Sequence, residues 1–325
     1  MSSDVFASAP ALMLYAMIIE AAMGWPHWLY RRLRHPTVWM GSLIAAFENS
    51  LNQSGHTASG RRWRGVSTVL IVVGMTFCVA LLVSLVTGDG WVGIGIQAFV
   101  AASLVASRSL YEHVAAVATP LIRNDLAGAR AAVSHIVGRD PSQLDEAGVC
   151  RASLESLAEN ASDGVVAPVF WGALLGLPGL AVYKAINTLD SMLGHKTEHL
   201  VDFGWCSARL DDVANFLPAR ITGVLIALAS LRWQALTVMR RDARKHRSPN
   251  AGWPEAAMAG ALGCRLSGPR VYAEGESREP WLNDGAADPI ASDLRRGLAL
   301  YVKAMVVAAA LLLMLVLMLA LGRAL

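Results

Sequence analysis

Long apolar runs alternate with short polar runs along this chain of 325 residues. Four apolar runs approach the roughly 20 residues that a helix needs to cross a bilayer: residues 9–24, 66–87, 91–107 and 298–321. The second and third runs are separated by residues 88–90 alone, which predicts a transmembrane hairpin. The pattern predicts an all-α, polytopic membrane protein with about four full transmembrane helices. Re-entrant or interfacial helices and a helical region at the cytoplasmic face should accompany them.

Two further apolar segments are broken or short. Residues 164–186 are interrupted by Pro168 and by Gly176-Leu-Pro-Gly179, and residues 219–231 are too few for a complete span. Either both segments cross the membrane and the polar run between them faces the outside, or both are re-entrant or interfacial and that run is cytoplasmic. We favour the second arrangement, because residues 176–179 are typical of the tip of a helical hairpin.

Basic residues are concentrated in residues 25–64 and 232–247. Because cytoplasmic loops carry an excess of Lys and Arg, both segments are predicted to be cytoplasmic. We expect an N-terminal membrane region with three spans over 1–107, a helical catalytic region over 108–297, and a C-terminal transmembrane helix over 298–325. The predicted localisation is the inner (cytoplasmic) membrane, with the active site facing the cytoplasm.

The composition supports a membrane protein and excludes several other classes. Hydrophobic residues make up 54% of the chain and charged residues 16%, below the roughly 25% charge of an average soluble domain. The net charge is +3, and no basic run is interleaved with aromatic residues, so we expect no nucleic-acid partner. The four cysteines form no CxxC pair, which argues against a cysteine zinc site. The lipid bilayer is the expected macromolecular partner, and a homo-oligomer stays open.

The polar run over residues 187–220 is rich in oxygen ligands of the kind that Mg²⁺ prefers. Asn187 and Asp190 can share a helix face. The adjacent residues Asp211 and Asp212 diverge by about 100° on a helix, so one of them shares a face with Asn215. We predict that two short facing helices offer these groups to Mg²⁺. The alternative is structural: Asp190 caps a helix, and Asp211 and Asp212 form ion pairs with Arg209 or Arg220.

Two other polar runs have a similar character. Arg151, Glu155, Glu159 and Asp163 recur every four residues, which places them along one helix face. A solvated stripe with one internal salt bridge explains them equally well. The other run covers residues 248–255. We predict that the three runs meet at one site on a membrane face.

A short zinc-like pattern also occurs. His195, Glu198 and His199 match the H-x-x-E-H signature of inverted zinc peptidases, which needs both histidines on one helix face. Five residues with three fixed positions arise easily by chance. The sequence has neither a P-loop nor a GxGxxG motif in a βαβ context.

Taken in order, these blocks resemble the adenosylcobinamide-phosphate synthases of cobalamin biosynthesis, a family of multi-pass membrane proteins. The similar segments are residues 24–41, 155–168, 187–220, 248–255 and 268–272. The sequence departs from the family at three positions. Glu20 and Trp25 stand where the family has Asp, and Arg270 stands where it has Asn.

The resemblance implies an amide-forming ligase that joins adenosylcobyric acid to (R)-1-aminopropan-2-ol or its O-phosphate, with ATP as co-substrate and Mg²⁺ as cofactor. It implies the following roles: Asp190, Asp211 and Asp212 hold the metal; Lys196, Arg209 and Arg220 neutralise phosphate charge; Glu155 or Glu159 takes the amine proton; Asn160, Asp163, Asn187, Asn250, Trp205 and Trp253 contact the corrinoid or the amine. The three departures leave the choice between free and phosphorylated aminopropanol open.

Two rivals come from other classes. A membrane prenyltransferase also binds a Mg²⁺-diphosphate through Asp-rich loops, but it needs more spans and two separate aspartate motifs. In a transporter we would expect charged residues inside complete spans. Glu20 is the single carboxylate inside a predicted span.

Overall fold

The computed structural model describes residues 8–53, 55–138, 140–272, 275–277 and 279–324. Helices dominate these ranges, as the apolar pattern predicts. They are α1 (Ala9–Met23), α2 (His27–Leu33), α3 (Pro36–Leu51), α4 (Ala58–Thr87), α5 (Trp91–Ala102), α6 (Ser107–Ile122), α7 (Leu126–Val133), α8 (Glu146–Ala161), α9 (Ala167–Leu193), α10 (Trp205–Ala214), α11 (Phe216–Ser230), α12 (Trp233–Asp242), α13 (Gly252–Leu262) and α14 (Ala291–Ala324).

Short non-α elements join some of these helices. A π-helical turn, Ser162–Val166, connects α8 to α9, and a 3-10 turn, Ala243–Lys245, follows α12. Four short strands form two antiparallel pairs: β1 (Leu266–Ser267) with β4 (Trp281–Leu282), and β2 (Arg270–Tyr272) with β3 (Gly275–Ser277).

The helices confirm a polytopic membrane protein. Within the described ranges, four helical stretches are long and apolar enough to span a bilayer: Ala58–Thr87, Trp91–Ile122, Glu146–Leu193 and Ala291–Gly322. A fifth candidate is the pair α10 and α11, which is bent by 45° at Asn215. This bend explains why residues 219–231 are too short when taken alone.

The first predicted span is present as a short helix. Helix α1 has 15 residues, which at 1.5 Å per residue gives about 22 Å, less than the roughly 30 Å hydrocarbon core. Trp25, expected at the membrane interface, makes an edge-on contact with His35, with 5.3 Å between ring centroids. Helix α1 follows the predicted run 9–24 to within one residue but is too short to count among the complete spans.

The break predicted in the middle apolar segment is present. Helix α9 is interrupted at Gly176, which has φ 68° and ψ −160°, a backbone conformation that favours glycine, and Pro178 follows inside the helix. The sequence therefore places the break correctly. Whether the segment crosses the membrane or re-enters stays a prediction.

The chain forms two compact units, each discontinuous in sequence. The first comprises the described parts of Met1–Ala106, Ala167–Asn215 and Leu311–Leu325. In its core, Val69 and Val72 from α4 pack with Leu189 and Leu193 from α9 and with Phe203. Because lipid tails are as apolar as these side chains, close packing between the helices stabilises this core rather than transfer from water. This packing fixes the C-terminal end of α9.

The second unit comprises Ser107–Val166 and Phe216–Ala310. Helix α13 is buried along almost its whole length and packs against α8, α11 and α12. Leu154, Leu157 and Met258 are fully buried in this unit. The predicted regions 1–107, 108–297 and 298–325 are continuous in sequence, whereas the two compact units are not. The division into these three regions stays a prediction.

Candidate functional site

A buried hydrogen-bond network surrounds Asp211 in the first unit. Oδ2 of Asp211 accepts a hydrogen bond from Nδ2 of Asn215 at 2.9 Å, and Oδ1 of Asn215 accepts one from the Tyr183 hydroxyl at 2.8 Å. Asp211 is 9% exposed, and Asn215 and Tyr183 are each 1% exposed. The tyrosine therefore fixes the amide orientation, and the amide fixes the carboxylate.

Helix α9 supplies the facing half of this network. Tyr183, Asn187 and Asp190 fall at i, i+4 and i+7, which places them on one helix face. The Asn187 amide lies beside the Asp211 carboxylate, and the carboxylates of Asp190 and Asp211 are close enough to repel each other. We call Tyr183, Asn187, Asp190, Asp211 and Asn215 the acidic network. It unites the oxygen ligands predicted from residues 187–220, apart from Asp212.

The local sequence allows this approach of α9 and α10. Helix α9 ends at Leu193, and the N–H of Gly194 donates to the carbonyl of Asp190 at 2.7 Å. A side chain at position 194 would collide with the Asp190 carboxylate. A larger residue at position 194 would therefore displace the Asp190 carboxylate, and the turn that follows leads the chain into α10.

Asp212 has different surroundings. Its Oδ2 pairs with Nη1 of Arg209 at 3.5 Å, and the exposed Lys196 also lies near enough to interact with it. Asp212 thus forms the ion pair with Arg209 that the structural alternative predicts. Arg209 and Lys196, both predicted to neutralise phosphate charge, are solvent-accessible beside it.

The acidic network has the donor chemistry that Mg²⁺ requires. Mg²⁺ is bound by one or two carboxylates and keeps several waters and substrate phosphates as further ligands. Asp190 and Asp211 supply two carboxylates, and within the described ranges Oδ1 of Asp211 is buried without a hydrogen-bond partner. No cluster of three or more His, Cys, Asp or Glu side chains arranged for a metal occurs in those ranges. The residues therefore fit a two-carboxylate Mg²⁺ site better than a three-aspartate one.

The zinc-peptidase interpretation is wrong in its structural premise. Residues 194–200 form a turn rather than a helix, so His195 and His199 do not share a helix face. Nε2 of His199 lies 3.5 Å from the Glu48 carboxylate and 3.2 Å from Nδ2 of Asn52. His199 thus joins this turn to α3 and its C-terminal cap.

A second polar cluster lies in the second unit. The Arg220 guanidinium carbon lies 4.6 Å from the centre of the Trp253 ring, and Nη1 of Arg220 donates to Oδ1 of Asn250 at 3.2 Å. Asn250 is buried, and Trp253 lies in the first turn of α13. Three predicted site residues from α11 and from residues 248–255 therefore meet as expected.

The predicted acidic stripe on α8 divides into buried and exposed residues. Glu155 is 6% exposed, and its Oε1 accepts a hydrogen bond from the N–H of Ser267 in β1 at 2.7 Å. Glu159 and Asn160 are exposed, and Asp163 lies in the π-helical turn. Glu155 is therefore not part of a solvated stripe. Its carboxylate binds the backbone of strand β1. Glu159 is the accessible carboxylate.

The remaining tryptophan and one missed lysine belong to the first unit. Trp205 is 42% exposed, and the Arg62 guanidinium carbon lies 5.2 Å from its ring centre. Nζ of Lys184 is 3.4 Å from Oδ1 of Asn187. Sequence reasoning passed over Lys184 and Tyr183. A charged residue inside an apolar helix was the available signal.

Comparison with known proteins gives the family. The CobD/Cbib protein family matches residues 13–301. A Cobalamin biosynthesis protein CobD from Rhodobacter capsulatus is 60% identical over 296 residues, which are 91% of this chain and 93% of that protein. A protein of the same name from a Sinorhizobium species is 47% identical over 299 residues, 89% of this chain and 93% of its own length.

A third relative agrees with these two. The Brucella suis Cobalamin biosynthesis protein CobD is 47% identical over 295 residues, covering 88% of this chain and 90% of that protein. No solved structure matches the chain. The similarity extends over nearly the whole length and includes both polar clusters. The chain belongs to the CobD/Cbib protein family.

Proposed function

We propose that this protein is the enzyme of cobalamin biosynthesis that joins adenosylcobyric acid to (R)-1-aminopropan-2-ol or to its O-phosphate, in a reaction that consumes ATP and requires Mg²⁺. The product is adenosylcobinamide or adenosylcobinamide phosphate. Family membership supports the pathway, and the acidic network supports the use of a metal-bound nucleotide.

The observation that carries this proposal is the close pair of carboxylates in α9 and α10. Burying Asp211 beside Asp190 is costly, because the two carboxylates repel each other and burial removes Asp211 from water. A cation between them would remove both costs. Such an arrangement is expected where Mg²⁺ and a nucleotide bind, and it is hard to explain as structural support alone.

The chemistry requires activation of a carboxylate. An amine does not displace a carboxylate oxygen at a useful rate, so the corrinoid carboxylate oxygen attacks the γ-phosphorus of ATP and ADP leaves. The amine nitrogen then attacks the acyl carbon, and inorganic phosphate leaves. When bound, Mg²⁺ supplies charge neutralisation for the ATP phosphates.

The chain's own residues have the following roles in this proposal. Asp190 and Asp211 hold the metal, and Asn215 and Tyr183 keep Asp211 in position. Lys196 and Arg209, exposed near Asp212, neutralise phosphate charge. Glu159 accepts the proton that the amine loses as the amide bond forms.

The test is reconstitution with the purified full-length protein in detergent. Adenosylcobyric acid, ATP and Mg²⁺ are supplied with either the free or the phosphorylated amine, and the product is identified by its mass. We expect an amide product and one phosphate released for each product formed. A folded protein that binds adenosylcobyric acid but forms no product from either amine would contradict the proposal.

A parallel experiment addresses the rival chemistry. The same preparation is incubated with a prenyl diphosphate in place of the corrinoid. We expect neither diphosphate release nor competition with adenosylcobyric acid, because membership of the CobD/Cbib protein family gives a prenyltransferase no support. Turnover of the prenyl diphosphate would overturn the assignment.

A further inference from the structure

The basic segment over residues 232–247 contains arginines and a lysine that pair with carboxylates, and other arginines that, among the described residues, do not. The side chain of Asp242 is completely buried and pairs with Arg241 and Lys245, each at 2.7 Å. Arg247 pairs with Glu279 at 3.3 Å. These contacts neutralise Asp242 and Glu279, and the buried Glu255 lies 3.7 Å from Nε2 of His246. Within the part of the chain that the structure describes, Arg244 is left with no ion-pair partner.

Arg220 is a second cation without a carboxylate. Its guanidinium lies 3.6 Å from the centre of the Phe216 ring and 4.6 Å from that of Trp253. It donates hydrogen bonds to the carbonyl oxygens of Phe216 and Pro249 and to the Asn250 amide oxygen. All these acceptors are neutral, and no ion pair to Arg220 occurs in the described ranges. The aromatic rings hold its planar group in a fixed orientation.

The two arginines lie close to each other. The backbone of Gly252, two residues after Asn250, lies against the backbone carbonyl of Ala243, which precedes Arg244. The two guanidinium groups are near enough to repel each other. Fixing two like charges together without a counter-ion is unfavourable, and an anion bound by both reverses the sign of that interaction.

We propose that Arg220 and Arg244 form a binding site for the phosphate group of a small-molecule substrate. We call Arg220, Arg244, Asn250 and Trp253 the arginine cluster. Guanidinium groups bind phosphate through parallel N–H···O contacts, and the ordered Arg220 is suited to this geometry. The proposed function supplies two sources of such a group, the phosphorylated amine and ATP, and the choice between them rests on that proposal. Anionic lipid headgroups carry the same chemistry.

The first experiment measures binding alone, so that it does not depend on amide formation. The detergent-solubilised full chain is titrated with inorganic phosphate by equilibrium dialysis, in wild type, Arg244→Gln and Arg240→Gln. Arg240 is an exposed arginine of the same basic segment and serves as the matched control. Losing a charged hydrogen-bond donor should weaken phosphate binding about tenfold in Arg244→Gln. Arg240→Gln should bind like wild type.

The second experiment identifies the source of the phosphate. KM is measured for the phosphorylated amine, the free amine and ATP in wild type, Arg244→Gln and Arg220→Lys. An increase confined to the phosphorylated amine assigns the site to that substrate, and an increase confined to ATP assigns it to the nucleotide. Arg220→Lys keeps the charge but loses the planar group, so a similar effect in that variant supports recognition by geometry.

Several results would overturn the proposal. Equal phosphate affinity in wild type and Arg244→Gln would do so. Equal KM increases for the free and the phosphorylated amine, with ATP unaffected, would do so too. Loss of binding to phosphatidylglycerol vesicles in Arg244→Gln and Arg240→Gln alike, without saturable phosphate binding in wild type, would show that the segment serves the membrane surface instead. If phosphate binds as expected but no amide forms, the proposed function fails and the anion site stands.

Discussion

The acidic network and the arginine cluster both place charged side chains among apolar helices, but the charges have opposite sign and different surroundings. In the acidic network, Asp211, Asn215 and Tyr183 are buried and hydrogen-bonded to one another. In the arginine cluster, Arg220 is partly accessible and held between aromatic rings. The first has acceptors in excess, and the second has donors in excess.

The difference indicates what each cluster is built to bind. An acceptor-rich, preorganised set of oxygens suits a hard cation, because the position of each ligand is fixed before the ion arrives. A pair of guanidinium groups with no ion pair to a carboxylate in the described part of the chain suits a phosphate that arrives from water. The two clusters lie in different compact units, so each can be tested by itself.

The largest expected effect comes from Asp211→Asn. This change keeps the shape of the side chain and removes its charge, so it should reduce amide formation about 100-fold or more if the carboxylate is a metal ligand. Product formation at saturating ATP measures it. The control is Asp89→Asn, an exposed aspartate between α4 and α5, which should be neutral. Equal rates in both variants would remove Asp211 from the site.

The next effect is expected from Tyr183→Phe. The change leaves the buried Oδ1 of Asn215 without its donor, which should cost about 1–3 kcal/mol of stability. Because Tyr183 acts through Asn215 on Asp211, the variant should also need more Mg²⁺ for half-maximal rate. Thermal unfolding in detergent and a Mg²⁺ titration measure the two effects. Lower stability with an unchanged Mg²⁺ requirement would make Tyr183 purely structural.

Two substitutions of Glu155 distinguish a structural role of this carboxylate from a role in the reaction. Glu155→Gln keeps an acceptor for the Ser267 N–H, whereas Glu155→Ala removes it and should cost about 1–3 kcal/mol. We therefore expect a lower unfolding temperature for Ala and nearly wild-type stability and activity for Gln. A stable but inactive Glu155→Gln protein would show that the charge of this carboxylate takes part in the reaction.

The last expected effect concerns the dependence of stability on pH. Burial alone would raise the pKa of Asp242, but hydrogen bonds from Arg241, Lys245 and the Asn283 N–H outweigh it and lower that pKa to about 2. Stability from this group is complete above its ordinary pKa near 4 and is lost as pH falls toward 2. We expect a loss of about 2 kcal/mol across that window.

Asp242→Asn tests the origin of this pH dependence. The variant lacks the titrating group, so its unfolding temperature should fall less between pH 4 and pH 2 than that of the wild type. Both proteins should share whatever dependence arises from Asp288, whose pKa is also lowered to about 2, by hydrogen bonds from Arg265 and Arg151. Identical pH profiles would show that the Asp242 contacts contribute no stability.

The sequence predicts most of the fold because its strongest signals are local. Helices α4 and α14 follow directly from uninterrupted apolar runs, and the break in α9 follows from Gly176 and Pro178. Helix α1 also follows its apolar run, since it ends at Met23 with Gly24 as its C-terminal cap.

The candidate site is only partly predictable, because some of its contacts are distant in sequence. Asp211 and Asn215 share a face by helical spacing alone. Tyr183 joins them across 32 residues, and Ser267 meets Glu155 across 112. No local pattern encodes such pairs. The arginine cluster is intermediate, since Arg220, Asn250 and Trp253 are predicted from motif blocks and Arg244 is not. The absence of an ion pair to Arg244 among the described residues depends on where Asp242 and Glu279 lie.

The most direct test of the central claim, that the acidic network holds the metal, is Mn²⁺ binding followed by electron paramagnetic resonance in the presence of a non-hydrolysable ATP analogue. We predict one tightly bound Mn²⁺ per chain in the wild type and in Asp89→Asn, and loss of that ion in Asp211→Asn. Equal Mn²⁺ binding in Asp211→Asn and the wild type would contradict the account.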